Sequence, residues 1–535
     1  MAAARKPPVK RVNGVPPNKR TGGPSGRNRV SGRPAFGPDA KRTVCYAALL
    51  AVLLFAAWYS LSHINAPSNL DDDTAYMQYG LALAHGTFME NANPTLILRS
   101  LMIAPIGVIY ALFGFSQFTS ALWSILCFLG SILLAFFIGK LLYGEYVGVV
   151  SALLLSFMPT VSVLATTVDE MVPFVFVSSL SMLCLILGMK TGKAKFYFCS
   201  GLAAFASFLV SPLGAITALL VLVYLAFNLL KKKEPSRSAM AFTVLGLACG
   251  VLLAAGFNVY SHASPLIEFT STYSFYSSEN VAALVILDPI YYLSNMFPLN
   301  LQASASPGPQ VLYYYLLIPA AFYLVIRERK KSGVLLYWFA FALSYLAIGP
   351  MHLSFNPFMY YTIPELWRYL DSVAMPLVLI VAAGIVGIAG DAYSLLGRPL
   401  FAAVALVSIA LVGYVLSQSF ASTIWLYNAS MAGLSGDRQV AAYLSTLPFS
   451  ANIYLPSSSP YVFTFIQLSN MSRTDNITLI VSPPNCTSVP KRAYVYLPYE
   501  WYNSSATGQP AQRYCGWDPA MYLENYGTVY YTGST

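Results

Sequence analysis

Apolar runs long enough to cross a bilayer recur along most of this chain. A helix rises about 1.5 Å per residue, so roughly 20 apolar residues cover the ~30 Å hydrocarbon core. Such runs fall at 44–61, 121–139, 147–164, 171–189, 196–211, 213–230, 240–259, 311–326, 334–349, 373–390 and 400–418. With 57% hydrophobic and only 10% charged residues, the chain cannot bury this surface in a soluble core. The expected fold class is an α-helical polytopic membrane protein with about eleven transmembrane helices.

The formal net charge of +10 would suit a nucleic-acid binder if it were spread over a soluble surface. It is not spread. Residues 1–42 form a basic tail rich in Gly and Pro, too poor in apolar side chains to fold, and the run after it is expected to be a signal anchor. Beyond the tail stand 20 Lys and Arg, 13 of them in the short loops at Lys140, Lys190–Lys195, Lys231–Arg237, Arg327–Lys331 and Arg398. By the positive-inside rule those loops and the tail face the cytoplasm. The long, cation-poor loops 63–120, 165–170, 260–310 and 350–372 then face outward, with everything after about Ser419. The glycosylation sequons at Asn428, Asn470, Asn476, Asn485 and Asn503 all lie in that C-terminal region, the side on which a sequon has meaning.

Three domains are expected: a disordered basic cytoplasmic tail at 1–42, a transmembrane domain at 43–418 and a small extracytoplasmic α/β domain at 419–535. The last follows from an amphipathic stretch at about Asp437–Leu447 and β-rich runs beginning at Ala451, Ile477 and Ala493. Of seven cysteines, Cys45, Cys127, Cys184, Cys199 and Cys249 sit in apolar runs and read as small buried hydrophobes. Cys486 and Cys515 lie in the polar region outside, where a disulfide is expected.

The first outer loop opens on Asp71, Asp72 and Asp73, followed by Tyr76, Tyr79, His85 and Gly86. Adjacent carboxylates repel one another, so one should have a raised pKa, which suits a general base or a cation ligand. An Asp at this place equally suits a helix N-cap. Both roles fit, since one carboxylate can cap while its neighbour reacts.

This stretch resembles the opening of the GT-C class of glycosyltransferases, in particular the protein O-mannosyltransferases, the aminoarabinose transferases and related enzymes using dolichyl- or undecaprenyl-phosphate sugars. Asp72 and Asp73 match that class's acidic pair, Tyr76 its Tyr and Gly86 its closing Gly, although the second acid there is commonly Glu and Asp71 leaves the register ambiguous by one. The resemblance implies that Asp72 activates the acceptor and Asp73 supports it. It continues through Arg99 and the following apolar segment, similar to a juxtamembrane helix. Asp169-Glu170 resembles the second acidic position, Ser200–Pro212 a small-residue span, and Arg368-Tyr369 the segment entering a late span. It covers roughly residues 44–420 and implies a GT-C fold.

A residue-level argument meets the same positions. A polyprenyl phosphate leaving group needs cations where its charge develops. Outside the cytoplasmic loops and the C-terminal region only Arg99 and Arg368 remain, and arginine binds phosphate bidentately. Arg368 is the favoured one, against an ion pair with Glu365 or Asp371. His262 and His352 are further outer-side candidates, and the Tyr- and Phe-rich loop 261–309 is either a membrane belt or a binding rim.

The reading is an inverting hexosyl transfer from a polyprenyl (dolichyl) phosphate donor to a lipid, glycan or protein acceptor on the outer or lumenal face. Membrane lipids are partners, nucleic acid is not, and a divalent metal is not favoured. An oligosaccharyltransferase is the nearest rival, but the Trp-Trp-Asp-Tyr-Gly motif of that family is missing, its nearest counterpart being Cys515-Gly-Trp517-Asp518-Pro. A flippase or transporter would need ionisable groups at the membrane midplane, whereas here they gather at span ends. Short loops and the want of a retention signal favour an archaeal-type cell membrane over the endoplasmic reticulum.

Overall fold

The computed structural model describes residues 38–68, 72–87, 99–230, 237–260, 296, 311–348, 352–355, 358–361, 367–448, 451–456, 460–469, 476–480, 487, 489–498, 515, 517–523 and 527–532. The chain is helical through α1 (Pro38–Ser62), α2 (Asp73–Ala84), α3 (Ser100–Phe113), α4 (Gln117–Tyr143), α5 (Glu145–Ser156), α6 (Pro159–Leu164) and α7 (Met171–Thr191). It continues with α8 (Ala194–Val210), α9 (Ala215–Leu230), α10 (Arg237–Tyr260), α11 (Val311–Arg327), α12 (Arg329–Ile348), α13 (Ala374–Gly433), α14 (Ser435–Thr446) and α15 (Pro460–Ser469).

Among the described residues seven helical segments are long and apolar enough to cross a membrane: Ala40–Ser62, Gln117–Tyr143, Met171–Thr191, Pro212–Leu230, Arg237–Val259, Arg368–Leu395 and Ala405–Asn428. The other four expected spans coincide with apolar helices too short to meet that length, at Glu145–Ser156, Ala194–Val210, Tyr313–Arg327 and Gly333–Ser344. The run 147–164 is divided because Pro159 opens a new helix at α6, where its missing N–H is no loss. The runs 373–390 and 400–418 behave in the opposite way and share the one helical stretch α13, in which Pro399 makes no break. Few polar residues flank that proline, so no loop forms there.

The main apolar core is built from α1, α4, α5, α7, α11 and the first half of α13, whose residues Leu377–Ala382 are almost wholly enclosed. Membrane-type side chains such as Leu54, Leu112 and Leu252 point outward. At one end of the bundle, α14 and α15 cover a five-stranded sheet ordered β4-β3-β5-β7-β6, from β3 (Asn452–Pro456), β4 (Ile477–Ile480), β5 (Ala493–Pro498), β6 (Asp518–Leu523) and β7 (Gly527–Tyr531). Strand β3 runs parallel to β4 and β5, whereas β7 is antiparallel to β5 and β6. Two earlier strands, β1 (His352–Phe355) and β2 (Phe358–Tyr361), form an antiparallel hairpin.

Candidate active site

Helices α2 and α3 pack with almost no space between them. A Cβ on Gly80 would lie 2.6 Å from Ile106 Cγ2, and one on Gly107 would lie 2.7 Å from Leu83 Cδ2. The two glycines allow this approach, which sets the start of α2 beside the start of α3. There Arg99 Nη1 donates to Asp72 Oδ2 at 2.9 Å, and the guanidinium lies 5.3 Å from the centre of the Tyr76 ring.

The turn before α7 supplies the second pair of acids. Asp169 Oδ1 accepts the backbone N–H of Met171 at 2.6 Å, leaving Oδ2 for Arg368 Nη1 at 3.1 Å. Glu170 Oε2 accepts the Tyr76 hydroxyl at 2.9 Å and stands 3.3 Å from Arg99 Nη1. The Tyr369 ring lies 5.6 Å from the Arg368 guanidinium. Segments from four places in the sequence thus form one charge network, Asp72–Arg99–Glu170 with the adjoining Asp169–Arg368.

Burial is uneven across it. Asp169 and Glu170 are 4% and 1% exposed, whereas the Asp72 side chain is 36% exposed. Asp72 is the network's open end, and the arginines stand behind it. Burial opposes ionisation of Glu170, but Arg99 and then Arg368 outweigh it and hold the carboxyl below its usual range. Arg99 stays charged despite burial, because Glu170 and Asp72 raise its pKa.

The adjacent aspartates part company. Asp73 turns inward, accepting the backbone N–H groups of Ser68 and, at 2.9 Å, Thr74. Burial pushes its carboxyl up to about 8, against the lowering effect of those bonds. Asp73 therefore ties the loop to α2, and Asp72 is left partly exposed against Arg99.

The residues at 72, 73, 76, 99, 169, 170, 368 and 369 come together. Asp71, His262, Asn470, Asn485, Asn503 and Cys486 lie outside the described residues. Asn428 is exposed near the end of α13, and Asn476 stands half-buried before β4. Cys515 is disulfide-bonded, while the five cysteines of the apolar runs form no disulfide; Cys45 and Cys127 are buried as expected, but Cys199 is exposed. Arg368, expected to pair with Glu365 or Asp371 if merely structural, is joined to Asp169, and Glu365 lies outside the described residues. Asp371 accepts the Thr160 hydroxyl beneath this site, a contact that no local spacing could signal.

Among the described residues no three His, Cys, Asp or Glu side chains converge as a metal site. The acids nearest one another, Asp72, Asp169 and Glu170, are each paired with an arginine. An apolar cavity of about 280 Å³ opens between α3, α8 and α10. It starts at Ser100, the residue next to Arg99, and runs past Ala104, Phe205, Ala206 and Phe257.

The fold is that of a helical multi-pass membrane protein with a small C-terminal sheet unit, and it is similar to folds of the GT-C class. Residues 101–255 match the family described as dolichyl-phosphate-mannose-protein mannosyltransferase. Among solved structures the fold is similar to ArnT from Cupriavidus metallidurans bound to undecaprenyl phosphate, with a TM-score of 0.60 and 12% identity over 91% of this chain and 98% of that one. It is also similar to the apo oligosaccharyltransferase of Archaeoglobus fulgidus, with a TM-score of 0.50 and 12% identity over 80% of this chain and 64% of that one. No curated protein sequence matches the chain.

Proposed function

We propose that the chain transfers a hexose, with inversion, from a polyprenyl (dolichyl) phosphate donor to an acceptor on the outer or lumenal membrane face, with Asp72 as general base. The observation that carries this reading is the contiguity of three features. A partly exposed carboxylate, Asp72, is bonded to a mostly buried arginine, Arg99, and the next residue along the chain, Ser100, belongs to the wall of an apolar cavity. A lipid-phosphate sugar has the matching parts in the same order: an electrophilic sugar carbon, a phosphate and a hydrocarbon chain.

The acceptor hydroxyl hydrogen-bonds to Asp72, which takes its proton as the oxygen attacks the anomeric carbon. The bond from that carbon to the phosphate oxygen breaks, and its electron pair departs with the polyprenyl phosphate. Arg99 is the group placed to meet the charge that develops. It stands at the N-terminus of α3, where the helix dipole also favours an anion. Support for Arg99 over Arg368 comes from position: Arg99 directly precedes Ser100 of the cavity wall and is 14% exposed, whereas Arg368 is 5% exposed and bonded to Asp169. Arg368 then acts by holding the Asp169-Glu170 turn.

In the present arrangement Arg99 is bonded to the proposed base. An arriving phosphate competes for the guanidinium and releases Asp72 to accept the hydrogen bond of the acceptor. The concentration of ionisable groups at one end of the bundle, rather than along its middle, supports transfer over a flippase role.

The test is transfer of radiolabelled sugar from dolichyl-phosphate mannose or glucose by the purified full chain in detergent, comparing wild type with Asp72→Asn. Transfer that the variant loses while its melting temperature is unchanged supports the reading. No transfer from either donor, or full activity in the variant, overturns the enzyme assignment or the choice of base respectively.

A further inference from the structure

The C-terminal sheet unit grips both acid-bearing segments through separate buried polar contacts. On α2, six residues after Asp72, the Gln78 amide donates to Thr464 Oγ1 at 3.0 Å and to Gln467 Oε1, both on α15. Thr464 is fully enclosed and Gln467 is 8% exposed. Leu468 of the same helix packs against the apolar cluster that contains Tyr76, Met77 and Ile106.

The second grip acts on the other pair of acids. Arg438 of α14 donates through Nη2 to Asn65 Oδ1 at 2.7 Å, and the Asn65 N–H donates to the carbonyl of Thr166 at 2.9 Å. Thr166 lies three residues before Asp169, and both Asn65 and Thr166 are buried. Arg438 is itself fixed, with its guanidinium 5.2 Å from the Phe465 ring centre and Nη1 2.9 Å from Met431 Sδ.

We infer that Gln78 and Arg438 are positioning residues through which the C-terminal unit sets the separation of Asp72 from the Asp169-Glu170 turn. The argument is one of elastic support. Two point contacts bridge the segments directly, Arg99 through a single nitrogen and the Tyr76 hydroxyl on Glu170, and both meet the turn at Glu170 Oε2, so they leave its orientation free. Each segment needs a second anchor to hold its carboxylates in register, and each has one on the same small unit. Without them α2 and the turn shift independently, and a displacement of about 1 Å at a reacting group is enough to cost on the order of 100-fold in rate. Neither residue lines the apolar cavity or bonds to Asp72, Arg99 or Glu170, so donor binding is expected to be little affected.

The inference rests on the transferase reading for its kinetic consequence, but not for its structural one. The experiment therefore measures both on the full chain in detergent: transfer from dolichyl-phosphate mannose, and amide hydrogen exchange of the segments 72–84 and 165–171. Gln78→Ala is expected to speed exchange at 72–84 and Arg438→Ala at 165–171, each about tenfold. Each variant is also expected to lower kcat at least tenfold with donor KM within twofold. Arg438→Lys, which keeps one donor, is expected to recover part of both effects even if Arg438→Ala fails to fold. Unchanged exchange in these segments, exchange raised uniformly along the chain, or a higher KM at constant kcat overturns the inference. A wild type that transfers no sugar while exchange responds as stated removes the transferase reading and leaves the positioning role standing.

Discussion

Arg99 and Asp72 are joined through one pair of atoms, Nη1 and Oδ2 at 2.9 Å, and the same Nη1 also faces Glu170 at 3.3 Å. One nitrogen serving two carboxylates is easily drawn to a third anion. Arg99→Ala is expected to raise the donor KM by roughly 10- to 100-fold, the scale of one or two charge-assisted hydrogen bonds. Asp72→Asn is expected to lower kcat by about 10²- to 10⁴-fold with donor KM within threefold. Steady-state kinetics with dolichyl-phosphate mannose separates the two effects, and a donor KM that ignores Arg99→Ala rejects the phosphate role.

Asp73 should behave unlike its neighbour, because its carboxyl is buried against backbone donors and raised to about 8. A carboxyl whose folded pKa exceeds its unfolded value, about 3.9, stays protonated in the fold while the unfolded chain releases its proton. Its contribution is therefore complete below about pH 4 and declines up to about pH 8, by at most about 1.4 kcal/mol per pH unit. Asp73→Asn is expected to flatten this fall in melting temperature between pH 5 and 8 while retaining most transfer activity. A variant as inactive as Asp72→Asn would make Asp73 a reacting group instead.

For Glu170 the sign is reversed. Its folded pKa is lowered by Arg99 and Arg368 in spite of burial, so its contribution is present above the unfolded value of about 4.3 and is lost as pH falls through the lower folded value. Glu170→Gln weakens the hold on Arg99 and the Tyr76 hydroxyl, with an expected loss of roughly 2 kcal/mol at pH 7. The difference from wild type should narrow below about pH 4. Thermal melts from pH 3 to 7 check this, and a constant gap would mean that the ion pair contributes nothing.

Much of this was legible in the sequence, for definite reasons. Apolar length announces a span, and a lone arginine among cation-poor loops is conspicuous, so the membrane class, Arg99 and Arg368 could be read directly. The Asp72–Asp73 pair was visible too, but its division of labour was not, since only the fold shows that Asp73 meets the Ser68 backbone while Asp72 meets Arg99. Asn65, Gln78 and Thr160 carry no local signal, because each matters through a partner more than 90 residues away. The missing break at Pro399 marks the limit of a proline rule in a stretch with few polar residues to form a turn.

The apolar cavity beside Arg99 gives the last prediction, because it can be altered without touching a charged group. Its walls are Ser100, Leu101 and Ala104 of α3, with Phe205 and Ala206 of α8 and Leu253 and Phe257 of α10 among the rest. A polyprenyl chain leaving a phosphate at Arg99 meets these side chains first, and each buried CH₂ contributes roughly 0.8 kcal/mol. Filling the cavity removes that contribution and leaves Asp72, Arg99 and Glu170 in place. Ala206→Phe or Ala104→Phe is therefore expected to raise the KM for a long-chain dolichyl-phosphate donor by about tenfold or more. For a donor with a short, water-soluble prenyl chain the same variants should change KM less than threefold, since little of that chain reaches the cavity. Equal losses for both donors would mean that the substitution has disturbed α3 and with it Arg99, and no loss for either would place the lipid chain elsewhere on the bundle.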